Sequence, residues 1–279
     1  MIITVEQSLE KKRNLFFDSK FLVSLRKVLA IARSTFRESI REKIWLLVFL
    51  FGAIVMASSY FLSPLAVGAR GKIILDVGLA SISIIGVIAS VLVGSTLLYK
   101  EIDKKAIYLV LTRPVTRFEY LLGKLSGIVS TIGLLMFAMA LAFVAIIYVS
   151  GLSANRVLLA AIYLSILEMT LMSAVVVFFS TFTTPILTSF FSFCIFVAGS
   201  LSGDLRAFAQ RFGGSSVRWL MDLFYYTLPN FSVFNLRHEA VHNLPFNMSD
   251  LTMATVYAAV YSVALIYFGY IVFKSREMR

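Results

Sequence analysis

Residues 157–201 read VLLAAIYLSILEMTLMSAVVVFFSTFTTPILTSFFSFCIFVAGSL, and two apolar runs fill almost the whole stretch. The runs extend from Val157 to Phe182 and from Pro185 to Leu201, and only Thr183 and Thr184 separate them. A helix needs about 20 mostly apolar residues to cross a bilayer, and proline is tolerated in the first turn of a helix. The stretch therefore predicts two membrane-spanning helices joined by a tight turn.

The composition of the whole chain indicates the same class of protein. Its 279 residues are 59% hydrophobic and 15% charged, and the mean hydropathy is +0.88. This composition excludes an ordinary soluble domain, because such a domain needs a wetted polar surface. We predict an all-α membrane domain over residues 44–273, whose six spans are Ile44 to Leu65, Ile73 to Tyr99, Leu125 to Val149, Val157 to Phe182, Pro185 to Leu201 and Leu251 to Phe273.

One detail of this layout stays open. The fifth span is short, and its outer end could continue toward Phe208. Residues 1–43 are polar and basic, without an early apolar run, so no cleavable signal peptide is expected and the first span is retained.

The distribution of basic residues predicts the orientation of the spans. With six spans, the N-terminal segment 1–43, the loop 100–124 and the tail 274–279 lie on one side of the membrane. These segments hold every Lys and Arg except Arg70, Lys72, Arg156, Arg206, Arg211, Arg218 and Arg237. Because Lys and Arg favour the cytoplasmic side, we expect both termini in the cytoplasm and segment 202–250 outside. The net charge of +11 then suits anionic lipid, and no nucleic acid is expected as a partner.

The N-terminal segment contains an amphipathic pattern. Apolar residues recur with helical spacing at Phe21, Leu25, Val28, Leu29, Ala32, Phe36 and Ile40, opposite a basic face. This spacing predicts a helix that lies on the cytoplasmic surface of the membrane. Such a helix could anchor the chain, or it could rest on a cytoplasmic partner.

The stretch NLRHEAVH at residues 235–242 contains H-E-x-x-H, the pattern of zinc metalloproteases. A catalytic zinc ion needs three protein ligands and an open position. His238 and His242 are the only histidines, so a third ligand would have to be Asp204, Asp222 or Asp250. Pro229 and Pro245 also limit the local helix to a few turns. We interpret the histidines as incidental, and keep a membrane metalloprotease and a non-catalytic metal contact as alternatives.

Span four contains one carboxylate, Glu168, near its middle. An intramembrane carboxylate costs a few kcal/mol and is a candidate functional residue. Glu168 is either a polar site at a cavity or dimer interface, or it forms a structural hydrogen bond with Ser95, Thr96, Thr188 or Ser192. In span two, the small residues Gly86, Ala89, Ser90 and Gly94 predict close helix packing, within the chain or at a dimer seam.

The loop between spans two and three is not an ordinary polar linker. Apolar residues such as Ile102, Leu109 and Val110 alternate with basic residues, and the pattern predicts short amphipathic helices. The break falls at Arg113-Pro114, because proline disfavours helix at the residue before it. Two short helices under the bilayer would form a docking surface for another protein.

At these residues the chain resembles permease subunits of ABC transporters of the ABC-2 (type V exporter) class. The resemblance rests on Glu101 and the run LTRPVTRFEYLLGK at residues 111–124, with matches at Glu101, Leu111, Pro114, Val115, Thr116, Arg117, Gly123 and Lys124. Many members carry Gly-Thr where Lys105-Ala106 stands here. The six spans, the N-terminal surface helix and the stretch YYTLPNFSVFNL at residues 225–236 also resemble that class.

The resemblance implies that a coupling helix in this loop contacts a separate ATP-binding subunit. It assigns the contact to Glu101, Ile102, Asp103, Lys104, Lys105, Ile107, Tyr108 and Leu111, and the geometry of the turn to Arg113, Pro114 and Arg117. It also implies a second permease copy, in a homodimer or a paralogous heterodimer, a periplasmic partner as a further candidate, and the bacterial inner membrane as location. Binding to lipid headgroups is the alternative for Arg113, Arg117 and Lys124.

The chain is not expected to hydrolyse ATP itself. A nucleotide-binding loop needs G-x-x-x-x-G-K-[ST], whereas Gly123-Lys124 has Phe118 and Leu125 at the other two positions. We therefore expect no cofactor in this chain, and ATP and magnesium in the partner subunit. The resemblance implies an exporter of an amphipathic or lipid-like substrate. The alternative is a mechanical transmitter, which drives an extracytoplasmic partner without transport.

Overall fold

The computed structural model describes residues 23–41, 45–62, 70–103, 116–152, 155–212 and 215–275. Every regular element in these ranges is helical, so the all-α prediction is confirmed for them. The elements are α1 (residues 23–41), α2 (Trp45–Leu62), α3 (Arg70–Asp103), α4 (Arg117–Val149), α5 (Arg156–Ser180), α6 (Pro185–Phe212), α7 (Ser215–Thr227), a 3-10 turn (Phe231–Phe234), α8 (Arg237–His242) and α9 (Met248–Ser275).

Five of these helices are long and apolar enough to cross a membrane, namely α3, α4, α5, α6 and α9. The remaining predicted span corresponds to α2, in which Leu46–Ala57 forms a shorter apolar stretch. The chain is thus a multi-pass membrane protein by the length and composition of its helices.

The turn between α5 and α6 is as tight as the sequence predicts. The backbone N–H of Thr183 donates to the carbonyl of Phe179 at 3.0 Å, and that of Thr188 donates to the carbonyl of Thr184 at 2.8 Å. Pro185 is the first residue of α6. At its other end α6 continues to Phe212, beyond the predicted Leu201, because residues 202–212 keep a helical pattern in which Ala209 is buried and Phe208 is exposed.

The core lies around α5, which contacts α3, α4, α6 and α9. Leu171, Met172 and Val176 of α5 are fully buried. A helix that is apolar on all sides is stable only when other helices surround it or lipid does. In this fold the neighbouring helices cover most of α5, while α6 and α9 present apolar side chains such as Phe190 and Val260 on the outside.

Helix α3 approaches α5 closely through small residues, as predicted. A methyl group added at Gly86 would lie 2.8 Å from the sulfur of Met169, and one at Gly94 would lie 2.5 Å from Cγ1 of Val176. Ala89 and Ser90 on the same helix are fully buried. In lipid, such close backbone approach maximises dispersion contacts between helices. These small residues therefore pack within the chain.

The N-terminal helix α1 packs against the start of α4. Added methyl groups at Gly123 and Gly127 would lie 2.7 Å from Cβ of Ile31 and 2.6 Å from Cβ of Thr35. Thr35 and Ser39 are fully buried, whereas Leu25 and Leu29 are exposed. The predicted helix is present, and on its predicted apolar face Leu25 and Leu29 are exposed whereas Val28, Ala32, Phe36 and Ile40 are partly buried. The close contact is made by two glycines, which admit Ile31 and Thr35 at short range.

We predict that Gly127→Ala loosens this contact. The new methyl group would meet both Thr35 and the carbonyl oxygen of Ala32, which lies 2.8 Å away. Overpacking of this kind costs about 1–3 kcal/mol, which corresponds to a thermal midpoint lower by roughly 2–10 °C. The measurement is thermal unfolding of the purified chain.

Gly133→Ala is the matched control on the same helix, because no atom lies within 4 Å of a methyl group there. This control should be neutral or slightly stabilising, since alanine favours helix over glycine. Equal midpoints for the two variants would contradict the close contact between α1 and α4.

Candidate functional site

The predicted coupling residues fall mostly outside the described residues. Glu101, Ile102 and Asp103 lie in the last turn of α3, and Arg117 is the first residue of α4. Lys104, Lys105, Ile107, Tyr108, Leu111, Arg113 and Pro114 lie outside the described residues. The structure therefore places the two ends of this connection, and the role of its residues stays a prediction.

The start of α4 is held by a capping box. The backbone N–H of Glu119 donates to Oγ1 of Thr116 at 3.2 Å, and the backbone N–H of Thr116 donates to Oε2 of Glu119 at 2.8 Å. This reciprocal pair satisfies two backbone donors at a helix start. The same Glu119 carboxylate accepts from the side chain of Ser24 and lies near Lys27. Glu119 thus joins the start of α4 to α1.

Glu168 forms a structural hydrogen bond, but with a different partner from those predicted. The hydroxyl of Ser83 on α3 donates to Oε2 of Glu168 at 3.0 Å. Depth explains the choice, since Ser83 and Glu168 lie 13 and 12 residues into their helices, or roughly 20 and 18 Å along them. Ser95, Thr96, Thr188 and Ser192 were the wrong candidates.

The hydroxyls of these four residues lie elsewhere. Ser95 accepts from Ser189 at 3.2 Å, and Thr96 donates to the carbonyl of Leu92 at 2.7 Å. Thr188 pairs with Thr183 at 2.6 Å. The Ser192 hydroxyl is buried without a hydrogen-bond partner among the described residues.

Glu168 lies at a cavity of about 210 Å³. Helices α3, α5 and α6 form its walls, and the 3-10 turn and the start of α8 cover one end. Its polar lining comprises Ser83, Ser165, Glu168, Ser200, Ser232, Asn235 and Arg237. Glu168 itself is only 8% exposed. A buried carboxyl group thus faces a polar space inside a bundle of apolar helices.

An ion pair lies at a second pocket, which adjoins this cavity. Nε of Arg237 on α8 donates to Oδ1 of Asp76 on α3. The second pocket, of about 390 Å³, is lined by Lys72, Asp76, His238 and His242 among others. Asn235 and Arg237 line both spaces. Arg237 therefore lies where the two spaces adjoin, whereas Asp76 lines the second pocket.

The two histidines of the H-E-x-x-H pattern lie on α8, which has only six residues. Their rings are 4.4 Å apart, and Nδ1 of His242 lies 3.1 Å from the carbonyl oxygen of His238. Within the described residues, no group of three His, Cys, Asp or Glu side chains is placed to hold a metal ion. Asp222, one of the predicted third ligands, pairs instead with Arg206 at 2.8 Å.

The remaining segment before α9 is tied to the bundle by hydrogen bonds. The hydroxyl of Tyr257 accepts from the backbone N–H of Asn230 at 2.8 Å, and the hydroxyl of Tyr261 donates to the carbonyl of Thr227 at 2.8 Å. Phe231 and Phe234 of the 3-10 turn are buried. These contacts hold the cover of the Glu168 cavity in place.

Sequence reasoning missed Ser83, Asn235, Arg237 and Glu119 as parts of these sites. The capping box could have been found, because Thr116-x-x-Glu119 matches its pattern before an apolar run. The close contact of α1 also has a signal, since Gly123-x-x-x-Gly127 is a G-x-x-x-G pattern. Asn235 and Arg237 have no such signal, because only the tertiary fold brings them to the cavity.

We predict that Ser83 and Glu168 are energetically coupled. Ser83→Ala removes the donor to a buried carboxyl group and should cost about 1–3 kcal/mol. In the double variant with Glu168→Gln, the two effects should differ from their sum by at least about 0.5 kcal/mol. Thermal unfolding of the four proteins measures this, and Glu168→Gln should still give a monodisperse chain.

Ser173→Ala serves as the control in the same cycle. Its hydroxyl donates to the carbonyl of Met169 at 2.8 Å within α5, so its effect should add to that of Glu168→Gln. Additive effects of Ser83→Ala and Glu168→Gln would contradict the coupling.

We expect the purified chain to carry zinc below stoichiometric amounts. Two histidines on a helix of less than two turns give at most a weak site, because a closed or catalytic zinc site needs more ligands. Elemental analysis should use a tag without histidine and should give the same result for His238→Ala. One zinc ion per chain that is lost in His238→Ala would revive the metalloprotease hypothesis.

No protein-family model matches the chain, and no curated protein matches it either.

Proposed function

We propose that this chain is the membrane subunit of an ABC exporter of the ABC-2 class. It pairs with a separate ATP-binding subunit, which binds ATP and magnesium, and with a second permease copy. The complex moves an amphipathic or lipid-like substrate out of the cytoplasm or the inner leaflet. The chain itself catalyses no reaction in this proposal.

The observation that carries the proposal is the run LTRPVTRFEYLLGK at residues 111–124, together with Glu101. The structure adds support at the part of the run that it describes. Thr116 caps α4, and Glu119 ties that helix start to α1. A rigid helix start beside a docked amphipathic helix suits a segment that has to transmit movement from another protein.

The proposed layout has six spans, with α2 as the first. Helix α2 has 18 residues, which corresponds to roughly 27 Å of helix, close to the roughly 30 Å of a hydrocarbon core. With α2 included, α1, the end of α3 and the start of α4 lie on the same, cytoplasmic side in this layout. Glu101, Ile102, Asp103 and the segment up to Leu111 then face the ATP-binding subunit.

A mechanical transmitter is the second candidate. It is favoured by exposed apolar side chains on the segment opposite the proposed coupling loop, such as Phe208, Phe212 and Trp219. These side chains could meet an extracytoplasmic protein. ATPase activity that rises with added amphiphile would favour the exporter, and activity that rises only with a partner protein would favour the transmitter.

The test of the proposal is gentle purification of the tagged chain from its native host, with every co-purifying protein identified and counted. We expect a stoichiometric ATP-binding protein. We also expect its loss when residues 101–111 are replaced by a Gly/Ser sequence of equal length, because the replacement removes the proposed contact.

The double variant His238→Ala with His242→Ala is the control and should retain the ATP-binding protein, since both histidines lie on the other side in the proposed layout. A chain that is monodisperse and intact but comes out alone would contradict the proposal.

A further inference from the structure

The cavity beside Glu168 has a lining whose hydrogen-bond chemistry points to one class of ligand. A serine hydroxyl has one hydrogen to donate and two lone pairs to accept with. Ser83 donates its hydrogen to Glu168 at 3.0 Å, and Ser165 donates to the carbonyl of Ala161 at 3.0 Å. Ser232 donates to Oδ1 of Asn230 at 2.6 Å. Each of these three hydroxyls already donates its hydrogen within the protein, so it can only accept a hydrogen bond from a ligand in the cavity.

The charged residues of the lining point to the same class of ligand, a hydrogen-bond donor. Glu168 and Arg237 are the charged residues that line the cavity among those described, and Nε of Arg237 is engaged by Asp76. A carboxylate at this depth is costly unless a cation compensates it. Ser200, Asn235 and Arg237 also line the cavity, but the part of the lining around Glu168, with Ser83 and Ser165, offers acceptors and one carboxylate. This part is complementary to a cation that only donates hydrogen bonds. An alkylammonium group has that character, with three N–H donors and no acceptor.

The size of the cavity separates an organic cation from a bare ion. A water molecule takes about 30 Å³ in the liquid, so 210 Å³ corresponds to about seven waters, far more than a single dehydrated ion fills. The space suits an ammonium group with its first few carbon atoms. Because Asn235 and Arg237 line both this cavity and the surface pocket, the remainder of a longer ligand has a direction in which to extend.

We propose that the Glu168 cavity binds a primary ammonium group, in which one N–H donates to the Glu168 carboxylate and the other two donate to two of the three hydroxyls of Ser83, Ser165 and Ser232. The group belongs either to a free small amine or to an amine-bearing lipid headgroup. This inference deepens the proposed function, because it names the headgroup chemistry of the substrate. Arg237, which donates to Asp76, lies where the cavity adjoins the surface pocket.

The test measures binding to the purified chain, without ATP and without any partner subunit. The probes are ethanolamine, choline and the dihexanoyl phospholipids that carry these two headgroups, titrated by calorimetry. The quaternary ammonium of choline has no N–H donor and is the matched control ligand. We expect the ethanolamine form to bind at least tenfold more tightly than the choline form, and Glu168→Gln to remove this preference.

Two further variants supply a second probe of the site and a control. Ser83→Ala should weaken binding of the ethanolamine form severalfold, and it serves as a second probe in case Glu168→Gln does not yield folded protein. Glu119→Gln is the matched control for a carboxyl-to-amide change, because glutamine preserves a capping box and Glu119 lies outside the cavity. This control should bind like the unchanged protein.

Each outcome decides the proposal. Binding of free ethanolamine supports a site for small amines, and binding of the phospholipid alone supports a headgroup site. Equal affinity for ethanolamine and choline forms, or unchanged selectivity in Glu168→Gln, would overturn it. So would a rise of the thermal midpoint with sodium chloride that equals the rise with ethanolamine at the same ionic strength. Since no ATP-binding subunit is present, failure here is distinct from failure of the proposed function.

Discussion

The close packing of α3 against α5 is the contact on which the rest of the structure depends. Lipid tails are as apolar as leucine, so two helices in a membrane gain little from the hydrophobic effect and need tight dispersion contacts instead. Gly86 and Gly94 supply them by admitting Met169 and Val176. The other helices are then arranged around this pair, since α2, α4 and α6 contact α3, and α4, α6 and α9 contact α5.

The same interface carries the main polar feature of the interior. Ser83 meets Glu168 where α3 and α5 face each other, and the cavity opens beside that hydrogen bond toward α6. Two tightly packed helices leave no room for a polar space between them, so the cavity lies at their edge, under the 3-10 turn. The close glycine contacts and the Ser83–Glu168 hydrogen bond therefore lie in the same helix interface. The close packing fixes the distance between α3 and α5, and this distance allows Ser83 to reach Glu168.

The sequence predicts much of this architecture and little of the cavity. Long apolar runs predict the helices, and Thr183-Thr184-Pro185 predicts the turn, because both signals are local. Glu168 can also be recognised from the sequence, because it is the one carboxylate within span four. Its partner could not be chosen among many membrane hydroxyls without comparing depths along two helices. Arg237 reaches Asp76 across 161 positions, and no local pattern encodes such a contact. Residues 104–115 lie outside the described ranges, so their assigned role stays a prediction.

The separation of these partners along the chain has a consequence for biosynthesis. Ser83 precedes Glu168 by 85 residues, so at about 5–20 residues per second it leaves the ribosome about 4–17 s earlier. The carboxyl group of Glu168 therefore reaches the membrane when its hydrogen-bond donor is already there. Arg237 emerges later still, and the cover of the cavity can close only near the end of translation. Until then, the Glu168 cavity lacks the 3-10 turn and the start of α8 that line it in the folded chain.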